Sequence, residues 1–197
     1  MFERFTRNAR EVVTGAVTHA ERTDAASVTE EHLLLALLDR QEGRAAFAVA
    51  SLGLADRRAS VAAELATVRR HGGLTRADTD ALAGLGIDVT EIVARVEEAH
   101  GEGALDRARR RGARRRPFSR GAKGILTRSL RIAAGRGDRF IGDEHLLLAL
   151  TACPGVAAEV LAAHGATYGA VNRALYGGGE AGEGEGEGGG ERFKKAG

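Results

Sequence analysis

Apolar residues recur along this chain at helical spacing. Val12, Val13, Ala16, Val17 and Ala20 form one stripe, and Leu33, Leu34, Leu37 and Leu38 form another. Positions three and four apart lie on one face of an α-helix, so each stripe predicts an amphipathic helix with that face turned inward. The first should start at Thr6, a good N-cap, and run to about Glu21. The second should be capped by Thr29, with Glu30 and Glu31 in its first turn, where negative charge suits the helix dipole. A third is expected over Arg44 to Ser51, ended by Gly53, and a fourth over Leu54 to Arg70 with Val61, Leu65 and Val68 as its stripe. A short helix over 75–83 and a longer one from the Asp88 cap to His100 follow; Asp88 and Glu91 have capping-box spacing. Beyond Pro117 the pattern predicts helices over 119–134, 143–152, 155–163 and 168–175.

The later pattern copies the earlier one. Phe5, Thr6, Arg7 and Ala9 correspond to Phe118, Ser119, Arg120 and Ala122 at a constant offset of 113, and EHLLLAL occurs intact at 31–37 and 144–150. After one deletion the match resumes at an offset of 112, with Gly43/Gly155, Ala45/Ala157 and Gly53/Gly165. An internal helical repeat implies two similar four-helix units. A site built within one unit should then appear in both. The expected fold is all-α: repeat 1 over 1–73, a helical spacer and arginine-rich linker over 74–116, repeat 2 over 117–176, and a disordered Gly/Glu tail over 177–197.

Composition narrows the reading. Hydrophobic residues make up 43% of the 197 and aromatics only 4%, so the core should be Leu, Val and Ala. The single cysteine, Cys153, excludes an intramolecular disulfide and a multi-cysteine metal site. No apolar run reaches the roughly 18 residues of a membrane span, and the charged N-terminus is unlike a secretory signal. A soluble, cytoplasmic protein is expected.

Chemistry-bearing motifs are sparse. There is no phosphate-binding loop, nucleophile elbow or His-Glu-x-x-His zinc motif, so neither a catalytic residue nor a cofactor or metal is expected. The duplicated Glu31-His32 and Glu144-His145 pairs admit two readings. His32 and His145 can be half-buried at the helix start, bonding a neighbouring turn. Alternatively Glu31 and Glu144 can accept a guanidinium, with the hydroxyls of Thr6 and Ser119 nearby and free helix N–H groups for an anion. The run Arg107–Arg116 holds seven arginines and is a candidate nucleic-acid contact. It has no interleaved aromatics, and a solvated linker is the alternative.

The segments MFERFTRNAREVV, VTEEHLLLALL, FSRGAKGIL, IGDEHLLLAL, GRAAFAVASLG and PGVAAEVLAAHG resemble, in order, the N-terminal domain of Clp-family AAA+ unfoldases, the ClpC type above all. The resemblance covers about 1–70 and 117–176. It implies a compact bundle of two pseudo-symmetric four-helix repeats that recruits substrates and adaptor proteins and has no catalysis of its own. Without AAA+ modules the chain resembles a stand-alone Clp N-domain, with Clp protease or unfoldase components, adaptors or substrates as partners. In some ClpC proteins this domain binds phosphoarginine, the acidic residue before the histidine holding the guanidinium. That implies sites at Glu31 with Thr6 and Glu144 with Ser119. The second should be the stronger, since Phe140-Ile141-Gly142-Asp143-Glu144 keeps the family's glycine and the first motif does not.

Overall fold

The computed structural model describes residues 3–105 and 116–177. The first repeat holds α1 (Arg7–Arg22), α2 (Glu30–Leu38), α3 (Arg44–Ser51) and α4 (Arg58–Arg70); the spacer holds α5 (Arg76–Gly84) and α6 (Val89–His100). The second repeat holds α7 (Arg120–Gly135), α8 (Asp143–Ala152), α9 (Val156–Ala163) and α10 (Tyr168–Tyr176). Among the described residues there is no β-strand. The fold is all-α, as the periodicity predicts.

Local chemistry starts most of the helices where the sequence placed them. Thr6 accepts from the Ala9 N–H at 3.2 Å, and its counterpart Ser119 accepts from the Ala122 N–H at 3.0 Å. One start and one cap differ from expectation. Helix α4 begins at Arg58 rather than Leu54, because Leu54 closes α3. Its N–H bonds the Val49 carbonyl at 2.9 Å, Gly53 adopts φ 65°, and the Leu54 side chain is fully buried. At α6 only half the expected capping box forms. Asp88 accepts the Glu91 N–H at 3.1 Å, but the Glu91 carboxylate turns to Arg95 at 2.5 Å instead. The reciprocal box lies at α5, where Thr75 and Asp78 each accept the other's backbone N–H.

The two repeats are not separate bundles. A short parallel bridge joins Phe5, ahead of α1, to Ile141, ahead of α8, and a second joins Phe118, ahead of α7, to Val28, ahead of α2. Their backbone bonds are equivalent under the 113-residue offset. The Thr6 N–H donates to Ile141 at 2.9 Å and the Ser119 N–H to Val28 at 2.8 Å. The Ile141 N–H donates to Arg4 at 2.7 Å and the Val28 N–H to Pro117 at 2.9 Å. Helices α1 and α2 pack together, as do α7 and α8. However, α4 packs on α9 and α10 on α3, so each fourth helix sits on the other repeat's third. One continuous core results, with Leu34, Leu37, Leu147 and Leu150 fully buried, and it includes residues of both repeats but none of the spacer. The spacer joins it from outside through Arg70, whose guanidinium reaches Glu97 at 2.6 Å.

Most of the Arg107–Arg116 run and the tail beyond Gly177 lie outside the described residues. Arg116, the last of the run, donates to the Ala25 carbonyl at 2.5 Å and to Asp24 at 3.0 Å. Its guanidinium is therefore committed to the α1–α2 turn.

Candidate functional site

Both histidines of the duplicated pair are wholly buried rather than half-buried, at 2% and 1% exposure. Each ring completes a helix cap. The Thr29 N–H donates to His32 Nδ1 at 3.0 Å, and the Gly142 N–H donates to His145 Nδ1 at 2.9 Å. An Nδ1 that accepts leaves the proton on Nε2. That nitrogen faces the Thr23 hydroxyl at 3.2 Å in the first repeat and Asp138 at 2.9 Å in the second. The histidines therefore hold the turn ahead of each Leu-rich helix. They are not arranged as ligands, and among the described residues no three His, Cys, Asp or Glu side chains gather as a metal set would.

The crossed bridges decide which carboxylate meets which hydroxyl. Thr6 is carried to the start of α8 and Ser119 to the start of α2, so each cap lies beside the Leu-rich helix of the other repeat. The pairing within a repeat expected from sequence, Glu31 with Thr6 and Glu144 with Ser119, is thus exchanged. The residue that reaches Ser119 is Glu30, whose Oε2 accepts the hydroxyl at 3.3 Å. Glu31 instead forms an ion pair with Arg69 at 3.3 Å. Its equivalent Glu144, 7% exposed, is paired with Arg44 at 3.3 Å. Burial lifts the Glu144 carboxyl above its ordinary value, with Arg44 and His145 opposing.

The two junctions differ in openness. At the Thr6 junction Asp143, the equivalent of Glu30, accepts the Ala45 N–H at 3.0 Å, and the Asn8 amide crowds the same spot beside Gly43. At the Ser119 junction Gly121 stands where the other has Asn8, and a methyl group there would collide with the Glu30 carboxylate. That glycine lets the carboxylate lie on the first turn of α7. Beside it a cleft of about 350 Å³ opens, lined by Glu30, Arg120, Gly121, Cys153, Pro154 and Gly155. Helices α7 and α9 both start at this cleft, and the positive ends of their dipoles favour an anion next to the carboxylate. A second, apolar cleft of about 310 Å³ lies over the Phe5–Ile141 bridge, with Leu126 and Leu130 on its wall.

Sequence reading missed Glu30, Arg44 and Arg69 as the side chains that set these junctions. One signal was present: Glu30 and Asp143 are both acidic at equivalent positions. The arginines gave none, because they lie elsewhere along the chain.

Fold and junctions together define a two-repeat helical domain whose polar groups converge at helix N-termini. The chain belongs to the Clp repeat (R) N-terminal domain family, whose model matches residues 4–78, 65–164 and 117–191. The first and last matches are related by the same 113-residue offset. Among solved structures, the chain is similar to the N-terminal domain of the caseinolytic protease associated chaperone ClpD from Arabidopsis thaliana. That match is 19% identical, with a TM-score of 0.50, covering 89% of this chain and 94% of that one. It is also similar to the Hsp104 N-terminal domain from Candida albicans, at 18% identity and a TM-score of 0.53, covering 90% and 93%. At these identities the likeness speaks for the fold. Among the described residues no single helix is long and apolar enough to cross a membrane.

Proposed function

We propose that this chain is a non-catalytic binding module of the Clp protein-degradation system that holds substrate or adaptor proteins, and that phosphoarginine is the group its helix junctions read. The observation that carries the reading is the Glu30 carboxylate facing the Ser119-capped start of α7 beside an open cleft. Phosphoarginine is positive at its guanidinium and negative at its phosphate. At the open junction Glu30 would take the guanidinium through charge-assisted bonds, and Glu31 would join it only by exchanging its ion pair with Arg69. Ser119 and the first-turn N–H groups of α7 and α9 would take the phosphate. Thr6 and Glu144 would form the weaker site, since Asp143 and Glu144 already hold partners there. This reverses the order expected from the glycine in the second motif.

Calorimetric titration of phosphoarginine into the full chain tests the reading. One dominant site is expected. It should weaken at least about tenfold in Glu30→Gln, in line with a charge-assisted bond of roughly 1.5–3 kcal/mol. Glu144→Gln should change it little, and arginine or inorganic phosphate alone should bind more weakly. No heat with the wild type, or undiminished affinity in the Glu30→Gln, Glu31→Gln double variant, would overturn phosphoarginine recognition at these residues.

A further inference from the structure

The α5–α6 hairpin has no counterpart in the second repeat and contributes nothing to the continuous core. Helix α5 buries none of its own residues. Helix α6 turns Val89 and Val93 inward, yet Ile92 on the same helix is 50% exposed. The turn between the helices presents Leu85 at 77% and Ile87 at 39% exposure. Ile87 lines an open depression of about 490 Å³ whose walls also include Asp80, Ala83 and Asp88. Scattered surface leucines need no explanation, but three exposed apolar side chains on a two-helix insertion outside the core do.

Charge says what would cover it. Residues 74–105 carry seven carboxylates against two arginines, within a chain of net charge +2. Some are committed: Glu91 to Arg95, Asp80 to Arg76 at 3.9 Å, and Glu97 to Arg70. Asp80 and Asp88 line the depression itself, and Glu98 makes no ion pair among the described residues, which leaves the hairpin acidic. A second copy of the chain would bring the same negative face, and like charges across an interface oppose association.

We propose that this hairpin is a docking surface for a basic, apolar-faced helix of a partner protein. The helix would lay its apolar stripe on Leu85, Ile87 and Ile92, with lysines or arginines meeting the acidic rim. The surface is separate from the helix junctions.

The test uses the full chain and a fluorescent Leu/Lys amphipathic peptide of about five helical turns, read by anisotropy. A scrambled peptide of the same composition and a Leu/Glu helix serve as comparisons. The Leu/Lys helix should bind, weaken with added salt, and shift the methyl NMR signals of Leu85, Ile87 and Ile92. Affinity should fall at least about tenfold in Leu85→Ser, Ile92→Ser, changes at exposed positions that leave the core intact. Asp80→Lys, Glu98→Lys should also lose binding; it keeps the apolar residues and so tests the surface even if the serine variant misfolds. Equal binding of the Leu/Glu or scrambled peptide, or unchanged affinity in both variants, would overturn the proposal. So would self-association abolished by the serine changes, which would assign the face to a second copy. Peptide binding that appears only after deletion of residues 106–115 would assign it to the chain's own arginine run and overturn it equally.

Discussion

Ser119, the cap of α7, donates its hydroxyl to Glu30 in the first turn of α2, across 3.3 Å and between the two repeats. The same oxygen accepts the Ala122 N–H at 3.0 Å. One side chain thus starts a helix and anchors the carboxylate of the open junction. The approach depends on Gly121, where a methyl group would meet Glu30.

Gly121→Ala should therefore separate binding from stability. Alanine suits a helix better than glycine, so the melting temperature should not fall. The Glu30 carboxylate is pushed aside, and phosphoarginine affinity should drop. Ser119→Ala removes both bonds and should lower stability by about 0.5–2 kcal/mol, the usual cost of losing a cap. Thermal melts beside binding titrations separate the two outcomes.

His145→Leu keeps the bulk of a buried side chain and removes its nitrogens. The Gly142 N–H loses its acceptor, and Asp138 loses its donor. A buried donor left unpaired costs about 1–3 kcal/mol, so denaturant melts should show a loss of that order.

Neither repeat should fold alone. Fragments covering 3–73 or 117–177 lack the opposite fourth helix and half of each bridge. Each should show weak helical circular dichroism and no cooperative melt, while the full chain melts in one transition. Leu147→Ala, fully buried at the centre of the core, should lower that transition by roughly 2–5 kcal/mol. A fragment with its own sharp melt would show that the repeats are independent.

Acid should loosen the spacer before the bundle. The hydrogen bond from Arg70, with a second from the Gly103 N–H, holds the Glu97 carboxyl down at about 2, against an ordinary value of 4.5. A depressed carboxyl stabilises the fold fully above its ordinary value and loses that contribution as pH falls from 4.5 through about 2. Backbone NMR signals of α6 should shift over that window, and Glu97→Gln should remove the dependence. Glu144 has the opposite sign. Its raised carboxyl favours the protonated fold, so that contribution declines as pH rises above the ordinary carboxylate range.

The local features of this protein are legible in its residues. Helix starts at Thr6, Thr29 and Ser119, the Leu-rich stripe that fills the core, and the 113-residue repeat all follow from side chains a few positions apart. Capping and helical periodicity act within one or two turns, so a linear reading captures them. The Leu54 start of α4 failed for a local reason too: a buried leucine just past a glycine serves the preceding helix end as well as it could begin the next.

The partnering of the junctions belongs to the tertiary structure alone. Thr6 and Glu31 lie in the same repeat and read as one site, yet the backbone bridges exchange the two segments and hand each hydroxyl to the other repeat. Glu30 and Glu31 are neighbours in sequence but point about 100° apart around a helix of 3.6 residues per turn. Which of them meets Ser119, and which meets Arg69, depends on where α7 and α4 lie against α2. That placement comes from burying both leucine-rich helices in one core, a long-range choice that no short stretch of the chain encodes.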